Sequence, residues 1–275
     1  MSPPQLTDRR QLLRARARAA RAPEWFLHEE AADIVQERLI EVNRQFTSPA
    51  VVSGAASVWG AAFPGAKVVE DADVLDLSPG AHDVVIHALA LHWAEDPVGQ
   101  IIQCRRALKP DGMFLAVTFG GQTLRELRAV LAEAEVALTG GLSPRVLPMG
   151  EIRDLGALIQ RAGLAMPVAD SLTRTVSYPS LRRLMHDLRG MGEGNALASR
   201  NRRPPPRRLF EEAERRYGDA FGAEGRIPAT FEFIFLTGWA PDASQPQPLR
   251  PGSASTRLAD ALGVPEQMLN DKAGR

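Results

Sequence analysis

Apolar positions along this chain change their period several times. Val84 to Leu91 is almost continuously apolar, Val98, Ile101, Ile102 and Leu108 recur at helical spacing, and Met113 to Phe119 is continuous again. Runs of about seven apolar or β-prone residues have the length and composition of strands covered on both faces. Lys109-Pro110-Asp111-Gly112 ends the intervening helix, because proline cannot extend it and Asp-Gly makes a tight turn. Strand, helix and strand in that order predict a right-handed parallel crossover, hence an α/β protein.

The flanking segments extend this reading. Residues 1–22 hold six arginines among alanines and leucines, which predicts a solvated basic helix able to dock an acidic partner or lipid headgroups. An acidic helix over Pro23 to Phe46 is expected to pair with it. Ala50 to Val52 is a short strand running into Ser53-Gly54, and Val68-Val69 is another. Thr123 to Leu138, Glu151 to Ala162, Leu181 to Met191 and Arg207 to Phe221 have helical spacing. Val168 to Tyr178 suits an edge strand, and Thr230 to Trp239 alternates strictly through Phe231, Phe233 and Phe235. The expected organisation is an N-terminal helical region (1–46), a core (47–241) with helical insertions at 122–150 and 181–222, and an extended tail (242–275). A short tail helix is expected between Ser255 and Gly263.

Composition narrows the class. With 275 residues, 44% of them hydrophobic, the chain can bury a substantial core. A net charge of zero gives no global attraction to nucleic acid. The single cysteine, Cys104, excludes an internal disulfide framework and suits a reducing cytoplasm, the expected location. No apolar run approaches the roughly 18 residues that span a bilayer, so any membrane contact would be peripheral, through the basic helix.

A glycine turn after the first strand, an acidic strand end, DVVI followed by LHW, and a helix closed by LKPDG resemble class I S-adenosylmethionine-dependent methyltransferases. LALHWAEDP, RRALKPDGMFLAV, GGQTLRELR, GLSPRV, DLRGMGEGNAL and GRIPATFEFIFLTGWAP resemble more narrowly the branch of the arginine-hydroxylase assembly factor of respiratory complex I. The resemblance covers roughly residues 8–262. It implies a Rossmann-like, mostly parallel sheet with a shortened N-terminal half, an antiparallel last strand and a helical cover. S-adenosylmethionine is the implied cofactor, and a complex I subunit or other protein is the implied acceptor. Three activities follow as alternatives: methyl transfer, arginine hydroxylation, and non-catalytic assembly by a protein that has lost the cofactor loop. The last is raised because VVSGAA keeps one glycine of the family's glycine-rich loop and lacks the carboxylate at its head.

Candidate residues follow from position. Ser53 and Gly54 would cradle the cofactor. Asp71 or Asp73 would lie by the adenine if VVEDADVLDL is the third strand of the fold, whereas Glu70 would grip the ribose if Val68-Val69-Glu70 is the second. His87 and His92, in and just beyond the DVVI strand, are candidates to orient substrate or take a proton, and Trp93 can stack on an adenine or an arginine. The amides of Gly120 to Thr123 begin a helix and can receive an anion. Gln122, Arg145, Asp187, Arg189 and Asn195 are the candidates for substrate recognition. No metal is expected, since His82, His87 and His92 alternate faces of a strand.

Overall fold

The computed structural model describes residues 5–245 and Gly263. The tail helix expected after Ser255 lies outside the described residues. The chain divides into two units, Met1–Asp242 and Ala243–Arg275, and the sheet with its helical layers belongs to the first.

Six strands, β1 (Pro49–Ser53), β2 (Lys67–Val69), β3 (His82–Ala88), β4 (Leu108–Phe119), β5 (Ala165–Tyr178) and β6 (Ile227–Trp239), form one sheet in the order β2-β1-β3-β4-β6-β5. The first four are parallel, and β6 runs antiparallel to both β4 and β5. Their side chains divide by parity. Met113, Leu115 and Val117 of β4 join Phe231, Phe233 and Phe235 of β6 in one core, while Phe114, Ala116, Ile234 and Leu236 face the other. Strands covered on both sides therefore read as continuous apolar runs.

The first core is closed by α2 (Phe26–Glu41), α5 (Arg125–Thr139), α7 (Leu181–Gly190) and α8 (Arg207–Phe221). The second is closed by α4 (Pro97–Ala107) and α6 (Ile152–Arg161), and includes Cys104, whose thiol is pushed up by burial. The short α3 (Ala56–Ala62) follows β1. At the helix-to-strand junction Asp111 takes a left-handed φ of 57°, which a short polar side chain tolerates. Gly112 follows because a Cβ there would press on the Lys109 carbonyl.

Three expectations are corrected. The acidic residues of α2 do not pair with the basic helix: Glu30 meets Arg174, and Asp170 of β5 takes Arg38 of α2. The basic helix α1 (Arg9–Ala19) is solvated on one side only, because Leu12, Ala15 and Ala19 form a narrow buried stripe. The segment before it is sewn down, with Thr7 N donating to Glu95 Oε1 at 2.6 Å and Thr7 Oγ1 donating to the Trp93 carbonyl at 2.9 Å. Finally, the Gly120–Thr123 amides are already used. Gly121 N donates to the Gly150 carbonyl and Gln122 N to Glu232 Oε2, leaving no anion cradle there.

Candidate functional site

Parallel sheets of this kind bind ligands beside the carboxyl ends of their strands. Here β1 ends at Ser53, whose buried hydroxyl accepts from Ala55 N at 3.1 Å and shapes the turn that presents Gly54. Beyond β2 the chain turns inward at Asp71, which is 2% exposed. Glu70 and Asp73, the other two expected carboxylates, are exposed. Because β2 bonds directly to β1, it holds the place of a second strand, yet the acid that reaches the crevice is Asp71.

His87 takes a different place from the one expected. Its side chain lies on the α4 face of β3, fully buried, with Nε2 2.7 Å from Gln100 Oε1. Gln100 Nε2 in turn donates to the Ala72 carbonyl at 3.1 Å. The ring therefore braces the Asp71 loop from behind, and burial lowers its pKa. His92 does reach the strand ends. Its Nδ1 lies 3.3 Å from Thr118 Oγ1 and its Nε2 3.2 Å from Glu193 Oε2, an oxygen that also accepts from Trp93 Nε1 at 2.8 Å. Burial by itself would push the Glu193 carboxyl up, but His92, Arg16 and Trp93 together hold it below the usual range.

Arg16 is the residue the sequence reading missed, and it dominates the crevice. Its stem crosses Gly192, and its guanidinium lies against Gly54 so closely that a Cβ on Gly54 would run into it. Arg16 Nη1 donates to Asp71 Oδ1 at 2.5 Å, and Arg9 clasps both oxygens of the same carboxylate at 3.0 and 3.1 Å. Burial would raise the Asp71 pKa, yet the charge of Arg16 and the bonds from both arginines set it below the usual carboxylate range. The signal was present: Arg9 and Arg16 are two helical turns apart and flank the Leu12, Ala15 and Ala19 stripe.

The fold implies S-adenosylmethionine, and the residues at the crevice do not fit it as they are arranged. The space over Gly54 is filled by Arg16, and the carboxylate that would meet the adenosine is doubly paired within the chain. The crevice is closed by Arg16.

Beside it lies a cavity of about 1030 Å³ walled by α1, the loop after α5, the end of α7 and the segment before α8. Trp93 and Glu193 are shared between crevice and cavity. Of the expected substrate residues, Arg145, Arg189 and Asn195 line it, whereas Gln122 and Asp187 do not. Asp187 instead lies 3.0 Å from Arg183 Nε. Arg145 forks onto Glu135, which also accepts from Ser143, and Asn195 Nδ2 donates to the Pro144 carbonyl. Both therefore hold the cover together.

Although burial opposes it, the bonds from Arg145 and Ser143 bring Glu135 to about 2. Replacing Glu135 with Gln leaves Arg145, 17% exposed, without its counter-charge. We expect a loss of about 2 kcal/mol, discounted from the range for a fully buried pair, read as a lower urea midpoint at pH 7. The difference from wild type should hold at neutral pH and shrink only as pH falls below the unfolded value towards 2, since a depressed carboxylate stabilises the fold above that window.

Among the described residues one group has metal-ligand geometry, Glu24, His186 and Asp187. Arg183 lies 3.1 Å from Glu24 and 3.0 Å from Asp187, and supplies there the charge that a cation would bring.

Comparison with known proteins agrees with the geometry. A methyltransferase domain family matches residues 34–116, from α2 into β4, the half of the sheet that carries the crevice. The mitochondrial arginine-hydroxylase NDUFAF5 of Danio rerio is 37% identical over 199 residues, covering 72% of this chain and 62% of that one. Its Homo sapiens counterpart is 35% identical over 204 residues, covering 72% and 57%. A malonyl-[acyl-carrier protein] O-methyltransferase of Laribacter hongkongensis is 33% identical over 178 residues, covering 65% and 58%. The chain is a class I S-adenosylmethionine methyltransferase-fold protein. Its similarity extends to the arginine-hydroxylase relatives, of whose length the matched part spans about six-tenths.

Proposed function

We propose that this chain acts on a protein subunit during assembly of respiratory complex I, with α1 as a gate over its cofactor crevice. The observation that carries the reading is the junction of Asp71, Gly54 and the His92–Glu193 pair with the large cavity, since it sets a nucleotide-type crevice against a space sized for a polypeptide segment. Kinship with NDUFAF5 supports a protein arginine as the modified group, and kinship with the malonyl-carrier enzymes supports methyl transfer. His92, held by Thr118 and by Glu193, is the positioning residue of the wall that the crevice shares with the cavity. S-adenosylmethionine would bind only after Arg16 leaves Asp71.

A second reading is favoured by Arg16 itself: a protein that keeps the fold, holds the crevice shut and works by binding alone. A cytoplasmic location belongs to this proposal, and no described helix is long and apolar enough to cross a membrane.

Mass spectrometry of complex I subunits from wild-type and gene-deleted cells separates the readings. We expect an arginine-containing peptide to lose the mass of one oxygen on deletion. Loss of the mass of one methylene would assign methyl transfer, and unchanged subunits with lowered complex I would leave the binding role.

A further inference from the structure

The cavity next to the crevice has a charge that the rest of the molecule does not share. Eight arginines line it against two carboxylates, in a chain whose net charge is zero. Both carboxylates are engaged: Asp8 caps α1 and pairs with Arg200, and Glu193 serves His92 and Trp93. Arg10, Arg14 and Arg18 lie on the exposed flank of α1 at successive i, i+4 positions. Like charges at that spacing destabilise a helix unless something offsets them. Among the described residues the guanidinium groups of these three, with those of Arg189 and Arg203, form no hydrogen bond or ion pair.

Beneath this rim the floor is apolar, made of Leu124, Leu127, Met149, Phe210 and Phe231. The guanidinium row follows about 12 Å of α1, at 1.5 Å per residue, longer than one phosphate or carboxylate. The volume of about 1030 Å³ is at the upper limit of the roughly 300–1,000 Å³ of small-molecule sites.

We infer that the cavity docks an extended acidic segment of a partner protein, with its carboxylates on the arginine row of α1 and one apolar side chain on the floor. This names the recognition chemistry of the proposed acceptor and rests on that reading. It also gives α1 two faces with separate tasks, Arg16 inward on Asp71 and Arg10, Arg14 and Arg18 outward on the partner.

The test uses the full chain and a fluorescein-labelled synthetic peptide of alternating glutamates around one leucine, followed by anisotropy. The comparison variant is the double substitution Arg14→Glu with Arg18→Glu, both exposed and outside the crevice. We expect the wild type to bind about tenfold more tightly than the variant, and to lose most of that affinity between about 0.1 and 1 M salt. Changing the leucine to serine should weaken binding further. Equal binding by wild type and variant, indifference to the leucine, or capture of phosphatidylglycerol vesicles with no peptide binding would each overturn the inference. Its failure is distinct from failure of the proposed function, because subunit mass changes on gene deletion are read without reference to this peptide.

Discussion

Replacing Arg16 with alanine should tighten the binding of S-adenosylmethionine by roughly tenfold to a hundredfold. The side chain fills the place over Gly54 and bonds to Asp71, so any adenosyl ligand must first displace it. A hydrogen bond to a charged group contributes about 1.5–3 kcal/mol, and each 1.4 kcal/mol is about tenfold in affinity. The variant is expected to fold, because Arg9 still holds both Asp71 oxygens and the carboxylate is not left buried alone. Isothermal titration of the two proteins decides it. A loss of affinity in Arg16→Ala would mean that the guanidinium holds the ligand instead of excluding it.

The second large effect is in acid. His28 of α2 is 4% exposed, and its Nδ1 accepts from Trp59 Nε1 at 3.1 Å, which keeps the ring neutral and joins α2 to α3 beneath the crevice. Burial lowers its pKa to about 4, against which the nearby Glu193 charge acts weakly. The unfolded chain takes up a proton near 6.5 and the folded one only near 4, so stability falls as pH drops through that window. The contribution is about 3 kcal/mol between those limits. Urea titrations at several pH values, comparing wild type with His28→Gln, should show the wild type losing its advantage on acidification. Parallel loss in both proteins would remove His28 as the cause.

Much of the sheet could be read from the chain because its strands are covered on both sides. Val84 to Ala88 and Met113 to Phe119 are continuous apolar runs for that reason, and Phe231, Phe233 and Phe235 alternate with Ile234 and Leu236 because each parity belongs to a different core. The acidic end of β2, Trp93 and the histidine beyond β3 were legible from their position at strand ends. What could not be read was which polar side chains already had partners. His87 looked available until Gln100 was seen against it, and the Gly120–Thr123 amides until Gly150 and Glu232 were. Arginine-rich α1 misled most. Its buried stripe is one leucine and two alanines, too small to stand out by hydrophobicity, yet it turns Arg9 and Arg16 inward.

Closure of the crevice by α1 is tested most directly by co-crystallisation of the wild-type chain with excess S-adenosylhomocysteine. The expected density shows Arg16 on Asp71 and no adenosine over Gly54. Adenosine bound to Asp71, with Arg16 turned onto the carboxylate of the ligand, would contradict it.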